Sequence, residues 1–419
     1  MSTIADIAAQ DKDLSYIIPP VDRELIKAEL KEQHFLRKTN NGDKEIYITT
    51  AHLSPNIMQE IGRLRELSFA LEGGGTGKSV DIDEFDTLPE PYCFKQLFVW
   101  SPADEEIVGG YRFIHGSNMY RSVDGKILTP TAELFQFTEE FINNYLPYTI
   151  ELGRSFVQPA FQPSNNLRKG MYSLDNLWDG LGSLAVEIPE THYFFGKVTM
   201  YSHMNRRAKD LILYFYQMHF PDADGLMWPT DPLEIESDLN ELHRLFSGHN
   251  YKENYQILQR EVRALGSFVP PLINAYMNLS ATMRSFGTAY NHEFGETDET
   301  GILVTLRDIF PDKKSRHIES YDVKNHQFNR RGLFKIDMTR LPWWRKKSNN
   351  EVEEELRLLK RMQRARKRAE AAAEADREFN ERPLRRARAQ RQERRQERRQ
   401  ERRQVRQTRR QNRRNKKEQ

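Results

Sequence analysis

The chain has 419 residues, 38% of them hydrophobic, a single cysteine and a formal net charge of +3. That length holds one large domain or two ordinary ones with a substantial core, and a lone Cys93 excludes an intramolecular disulfide and a cysteine metal cluster. The near-neutral total conceals a division: residues 345–419 carry 29 Lys and Arg against 13 Asp and Glu, a net +16, while the residues before them carry 35 against 48, a net −13. Residues 1–12 lack the basic and apolar regions of a signal peptide, and no apolar run approaches ~18 residues, so a cytoplasmic protein is expected, at most peripheral to the inner face of a membrane.

In chain order, residues 21–36 have helical spacing, and residues 44–50 alternate as a strand after a turn over 40–43. Residues 56–70 predict an amphipathic helix with Ile57, Ile61 and Leu64 on one face and Phe69 at its edge; Arg65 lies beside that face, where a helical arginine is usually solvated. The run Gly73-Gly74-Gly75-Thr76-Gly77-Lys78-Ser79 invites a phosphate-loop reading. It fails, because Glu72 stands where the first glycine of that pattern belongs, a helix precedes it, and the carboxylates of Asp81, Asp83 and Asp86 follow. A flexible loop of the kind that closes over a substrate fits better. The three aspartates match no calcium loop.

Residues 93–100 and 107–114, joined by a polar turn, predict a hairpin with Arg112 embedded in an apolar strand, where a buried arginine needs a partner. Residues 139–145 look helical. Residues 149–159 then read as a core strand carrying Glu151 and Arg154, in which Gly153 permits a bulge or a close backbone approach and Pro159 stops the ladder. Two readings of that pair stay open: an ion pair at a strand end, or an acid and a base placed for chemistry. Further on, residues 175–184, 204–216, 231–246 and 270–284 predict helices, and 193–199 and 301–306 predict strands. His192, His203 and His219 lack metal-ligand spacing and are read as structural. Beyond Trp344, residues 351–377 are strongly helix-forming and 391–404 repeat an Arg-Arg-Gln-Glu unit that cannot build a core. This tail is a solvated extension or a cationic arm for anionic lipid or nucleic acid; the lack of aromatics past Phe379 weakens base stacking.

Arg65-x-x-x-Phe69, Asp83-x-x-Asp86, Gly109-Gly110-Tyr111-Arg112 and Glu151-x-x-Arg154 resemble, in order and spacing, the pattern of acyl-homoserine-lactone synthases. They resemble more closely the acyl-carrier-protein-dependent N-acyltransferases that make ornithine or glycine lipids, often labelled hemolysin-like. Both belong to the GCN5-related N-acyltransferase superfamily. Later blocks at 177–181, 193–200, 270–280 and 288–294 continue the resemblance, which covers roughly residues 40–310. The family usually has a His where this chain has Gln96, an Asp near Asn291, and, in the lactone synthases, a Trp after the first helix.

The resemblance implies a mixed, mostly antiparallel α/β sheet with a central splayed strand pair, flanked by helices, in an N-acyltransferase domain over 1–344 followed by the basic tail 345–419. It implies transfer of a (3-hydroxy)fatty acyl group from acyl carrier protein to the α-amine of glycine or ornithine, giving a lyso-aminolipid. Glu151, Arg154, Arg112, Asp83, Asp86 and Arg65 are then the catalytic set, with Phe69, Phe156 and Val157 against the substrate. No bound cofactor and no metal are expected; the phosphopantetheine thioester of the carrier protein is a co-substrate. Expected partners are the carrier protein, the amino acid and, through the tail, an anionic membrane, with nucleic acid the weaker candidate.

Acyl transfer from a thioester to an amine needs a neutral amine, close approach and donors for the tetrahedral oxyanion. An α-amine of pKa ~8 sets Glu151, acting directly or through water, a modest deprotonation task. Backbone N–H groups beside Phe156 and Val157 are the candidate oxyanion donors, and the arginines and aspartates a network that shapes the site and holds an acceptor carboxylate. Coenzyme-A-using relatives carry a Gly-rich turn after this strand; here Pro159 and Pro163 intervene and the first glycine is Gly170. A carrier protein is therefore the expected donor, docked by Arg168, Lys169, Arg206, Arg207 and Lys209. The competing class is a non-catalytic acyltransferase-like protein tethered to RNA or membrane by its tail; the presence of Glu151, Arg154 and Arg112 favours the enzyme.

Overall fold

A computed structural model describes residues 13–122 and 126–321. The tail readings over 345–419 lie outside the described residues.

Among the described residues twelve strands follow in chain order: β1 (Phe35–Lys38), β2 (Glu45–Thr49), β3 (Lys95–Ser101), β4 (Glu106–His115), β5 (Tyr120–Arg121), β6 (Ile127–Leu128), β7 (Phe135–Phe137), β8 (Thr149–Val157), β9 (Tyr193–Met200), β10 (Met227–Pro229), β11 (Arg284–Asn291) and β12 (Thr297–Thr305). Eight of them form one sheet in the order β1-β2-β3-β4-β8-β9-β12-β11; β7 pairs with β10 and β5 with β6. Within the large sheet only β8 and β9 run parallel, so the mixed, mostly antiparallel fold is as expected.

That parallel pair is short. Thr149–Leu152 pair with Tyr193–Gly196, and pairing stops there, although β9 goes on along β12 to Met200 and β8 goes on along β4 to Val157. The sheet therefore forks between Gly153 and Lys197. On the other side of β8 a bulge sits at the fork: Gly110 faces Phe156 and Arg112 faces Gly153, so Tyr111 alone opposes Arg154 and Ser155. Arg154 is the bulged residue in the left-handed region, with φ of 48°. The space for this comes from β4, where a Cβ at Gly109 would lie 2.3 Å from the Phe156 carbonyl oxygen.

The helices that matter here are α1 (Arg23–Glu29), α2 (Pro55–Glu72), α3 (Glu84–Thr87), α4 (Leu167–Gly170), α5 (Ser173–Glu187) and α6 (Arg206–His219). Helix α2 starts with Pro55 in its first turn and ends at Gly73, whose φ of 96° caps it while its N–H reaches back to Phe69 and Ala70. One face of the sheet is covered by α5 and α6, through Leu177, Leu181, Leu184, Leu211 and Phe215 against Ile46, Leu97, Val99, Ile150 and Val198. On the other face the apolar packing is divided. Ile57, Ile61 and Leu64 of α2 bury Phe98, Trp100 and Phe156, and Phe94, Ile114, Phe135, Phe141 and Phe195 form a separate cluster. Alternation along β3 and β4 explains what fills the gap: Gln96 lies between Phe94 and Phe98, and Arg112 two residues before Ile114, so both point into the space between the clusters.

Several local expectations change in the structure. The helix predicted over 21–36 stops at Glu29, and Phe35–Lys38 is the edge strand β1. Of residues 231–246 only Leu239–Leu245 are helical, and the helix predicted over 270–284 ends at Met277, with Arg284 starting β11. The structure adds an amphipathic helix, Tyr251–Ala264, with Leu258 and Val262 buried, where no element was expected. The Gly-rich loop after α2 is held in place: the N–H groups of Thr76 and Gly77, at 2.9 and 2.8 Å, and the Thr76 hydroxyl all donate to the buried carboxylate of Glu66. It builds an anion-binding turn, and an internal carboxylate occupies it.

Candidate active site

The site grows out of α2, the segment after it, β4 and β8. Arg65 was expected to be solvated; it has 0% exposure, because α2 turns it inward between the two apolar clusters. Its Nη1 donates to Asp86 at 3.1 Å and its Nη2 to the side-chain oxygen of Gln96, whose amide in turn donates to Asp86 at 2.8 Å. Gln96, in the place where the resembled family has a His, is thus the bridge between helix and carboxylate. Asp83 caps α3, and with Asp86 forms a reciprocal capping box that presents both carboxylates to β4. Arg112 donates to both Asp83 oxygens at 2.7 Å and to Asp86 at 3.1 Å, and its guanidinium lies 4.9 Å from the Phe94 ring centre. Arg154 pairs with Asp81 at 2.9 Å and lies 4.4 Å from the ring centre of Phe294, which packs edge-on against Phe69.

Three arginines and three aspartates thus balance. Burial alone pushes the Asp83 carboxyl up, but Arg112 and Arg154 outweigh it and hold it down to about 2. Burial likewise opposes the Arg112 charge, and the aspartates more than restore it. Taking two ions out of water costs several kcal/mol each, so a cluster of this kind persists only with every charge matched.

Glu151 stands apart from that cluster. It makes no ion pair with Arg154: the bulge turns Arg154 toward Asp81 and leaves Glu151 on the side of Phe195, so the strand-end ion-pair reading falls. One Glu151 oxygen accepts from the Thr131 hydroxyl at 2.7 Å, and the Thr129 hydroxyl also acts on the buried carboxylate. Burial raises its pKa, opposed by the Thr131 and Thr129 hydrogen bonds and the charges of Lys197 and Arg112. Lys197, just past the fork on β9, is half-buried and donates to the Pro130 carbonyl at 2.8 Å; burial lowers its pKa against the pull of Glu299 and Glu151. Beyond it Glu299 on β12 is buried and accepts from Thr199 at 3.3 Å.

Of the residues singled out in the sequence, Arg65, Asp83, Asp86, Arg112 and Arg154 come together, with Glu151 alongside. Phe69, on α2, and Phe156, beneath that helix, are buried in one cluster, and Val157 is half-buried with its carbonyl accepting from Gln162. The proposed docking set divides. Arg168 is exposed and unpaired among the described residues, and Lys169 pairs with Asp104 at the surface. Lys209 is removed from the set: it is buried against Asp298 at 2.5 Å, and its charge does not reach the surface. Arg206 and Arg207 are engaged by Asp210 and Glu241. Asp81, Gln96, Thr131, Lys197 and Glu299 were missed. Asp81 belonged to an aspartate run already noticed, and Lys197 interrupts an apolar strand just as Arg112 does; Thr131 lies in a loop that no periodicity marks. Cys93 is buried with its thiol pushed up to about 12, as suits a packed residue. Among the described residues no metal-binding group of His, Cys, Asp or Glu occurs, and no helix is long and apolar enough to cross a membrane.

The chain matches the model of the acetyltransferase (GNAT) domain over residues 64–169, from α2 to α4. It is 53% identical over 310 residues to a glycine N(alpha)-acyltransferase of Phocaeicola vulgatus, covering 74% of this chain and 94% of that protein. It is 52% identical, again over 310 residues, to a protein of the same name from Bacteroides thetaiotaomicron, covering 74% and 91%. No solved structure matches it. With a forked sheet, a bulged central strand and relatives of this closeness, the chain belongs to the GCN5-related N-acyltransferase family and is an enzyme that acylates the amine of an amino acid.

Proposed function

We propose that this enzyme transfers a fatty acyl group from the thioester of an acyl carrier protein to the α-amine of glycine, the first step toward an aminolipid. The observation that carries the reading is the Glu151 carboxylate, buried at the fork on threonine hydroxyls and in no ion pair with a cation among the described residues. The two relatives' names supply the acceptor, since both are glycine N(alpha)-acyltransferases. Glu151 takes a proton from the glycine ammonium; its burial makes it a stronger base than an ordinary carboxylate. The free amine attacks the thioester carbonyl, a C–N bond forms, the C–S bond breaks, the nitrogen gives up its surplus proton, and the departing thiolate takes up a proton to leave as the thiol. The oxyanion donor in this reading is the Val157 N–H. Gln158 N–H donates to Val108 on β4 and the Val157 carbonyl faces the other way, so by strand alternation the Val157 N–H points into the fork.

The donor assignment draws on the segment after β8. Pro159 and Pro163 lack donors, α4 is a single turn whose Lys169 N–H is taken by Asn166, and α5 carries Asp175 in its first turn. A pyrophosphate finds little there, whereas a pantetheine arm needs none of it. With one acyl chain presented on both carriers, acyl carrier protein should give a kcat/KM at least ~10-fold above coenzyme A, about 1.4 kcal/mol; equal rates overturn the donor assignment. Mass spectrometry of lipids from a host without aminolipids, expressing this chain, identifies the acceptor. For the tail the proposal is an anionic surface: a chain ending at Asn349 keeps its turnover in detergent and loses its salt-sensitive binding to anionic vesicles. Lost turnover in detergent overturns that division.

A further inference from the structure

An amino-acid acceptor brings a carboxylate as well as an amine, and something must receive it. The arginines flanking the site do not have a charge to spare: Arg65 and Arg112 are buried against Asp86 and Asp83, and Arg154 is held by Asp81 and Asp83. Lys197 differs from all three. Among the described residues it has no carboxylate within ion-pair distance, and its ammonium donates only to the Pro130 carbonyl, which leaves two N–H donors unused. Its position is specific. It is the first residue of β9 beyond Gly196, where pairing with β8 ends. It shares a face with Phe195, which stands directly opposite Glu151, so it lies one diagonal step from Glu151, within reach of a long side chain. A Cβ at Gly196 would lie 2.7 Å from the Leu152 carbonyl oxygen, so the glycine keeps β9 close to β8 at this point. The residue as a whole is half-buried, and burial works against its charge.

We propose that Lys197 is the acceptor-binding residue: its ammonium receives the carboxylate of the incoming amino acid and so turns the α-amine toward Glu151. In an α-amino acid the amine and the carboxylate are separated by one carbon, and Lys197 and Glu151, whose charges act on each other, offer one group of each sign on the same face. The inference rests on the reading of the acceptor as an α-amino acid.

The test compares glycine with glycinamide, which keeps the amine and replaces the carboxylate with a neutral amide, at a fixed acyl donor. The wild-type enzyme should prefer glycine by at least ~10-fold in kcat/KM, the value of one charge-assisted hydrogen bond. Lys197→Met should lower kcat/KM for glycine by at least that factor, mainly through KM, and change glycinamide less than ~3-fold, so the preference collapses. Lys197→Arg should recover part of it. A wild-type enzyme that uses glycinamide as well as glycine overturns the proposal without any variant. So does a Met variant that loses kcat for both acceptors alike with glycine KM unchanged, which is the signature of a proton-transfer or folding role. If the wild-type enzyme acylates another amino acid and ignores glycine, the glycine reading fails alone, and the same comparison is made with that amino acid and its amide.

Discussion

The arginine–aspartate cluster and the row formed by Glu151, Lys197 and Glu299 lie next to each other on one face of the sheet, and they are built differently. In the first, every charge has a charged partner within 3.1 Å, and the set sums to zero. In the second, among the described residues, no ion pair forms: Glu151 is held by threonine hydroxyls, Lys197 donates to a backbone carbonyl and Glu299 accepts from Thr199. Matched ions joining α2, α3, β4 and β8 hold those elements in position. Unmatched ions at the mouth of a fork keep the capacity to bind and to move a proton, at a cost in stability. Sequence alone had placed the arginines and Glu151 in one catalytic set; their surroundings separate scaffold from chemistry.

The largest expected effect that tests this contrast is on stability. Asp86→Ala leaves Arg65 and part of Arg112 uncompensated in the interior, so the unfolding free energy should fall by about 3–5 kcal/mol in urea titrations. A loss under about 1 kcal/mol would mean that the cluster is not the scaffold. The opposite behaviour is expected of Glu151→Gln, which retains an acceptor for Thr131. Turnover should fall by at least ~10²-fold, near 2.7 kcal/mol in the barrier, with the fold intact. Retained activity would return Glu151 to a structural role.

The pH dependence sharpens the same point. The Glu151 carboxyl is raised by burial above its ordinary 4.5, so the folded protein binds this proton more tightly than the unfolded chain does. The contribution of Glu151 to stability therefore declines as pH rises from 4.5 through the raised value, and the Gln variant, lacking that decline, gains relative to wild type over the same window. The wild-type rate should in turn fall on the acid side at a higher pH than an ordinary glutamate would give. Thermal melts and kcat/KM profiles across pH 4–8 read both; a variant whose stability difference from wild type is flat with pH speaks against a buried, titrating Glu151.

The smallest effect separates committed from free surface charge. Lys209→Met should destabilise the protein and leave the KM for acyl carrier protein unchanged, because Lys209 is buried against Asp298. Arg168→Glu should do the reverse, raising that KM by up to roughly fivefold, as expected of about 1 kcal/mol from an exposed charge, with the KM for an acyl-coenzyme A unmoved. The same response from both variants would remove the carrier-docking role from this surface.

Much of this architecture follows from short-range pattern. Alternation along β3, β4 and β8, the apolar face of α2 with its glycine stop, and the polar turn between β3 and β4 are local signals, and each element formed where its pattern lay. So did the impossibility of a phosphate loop at 73–79, though only the folded chain shows Glu66 filling the turn. What tertiary structure decided is the fate of the charges. Nothing in the spacing of Glu151 and Arg154 distinguishes a pair from two strangers. A bulge opposite Tyr111, made possible by Gly109 on a different strand, sends one toward Asp81 and the other toward Thr131. Arg65 looked like any solvated helical arginine because its partners, Asp86 and Gln96, lie 21 and 31 residues away. Lys197 was one lysine in an apolar strand until the fork placed it beside Glu151. Local sequence specifies which backbone a segment adopts, since propensity and periodicity act over a few residues. Whether a buried charge is matched depends on groups brought together from across the chain, and that is a property of the fold.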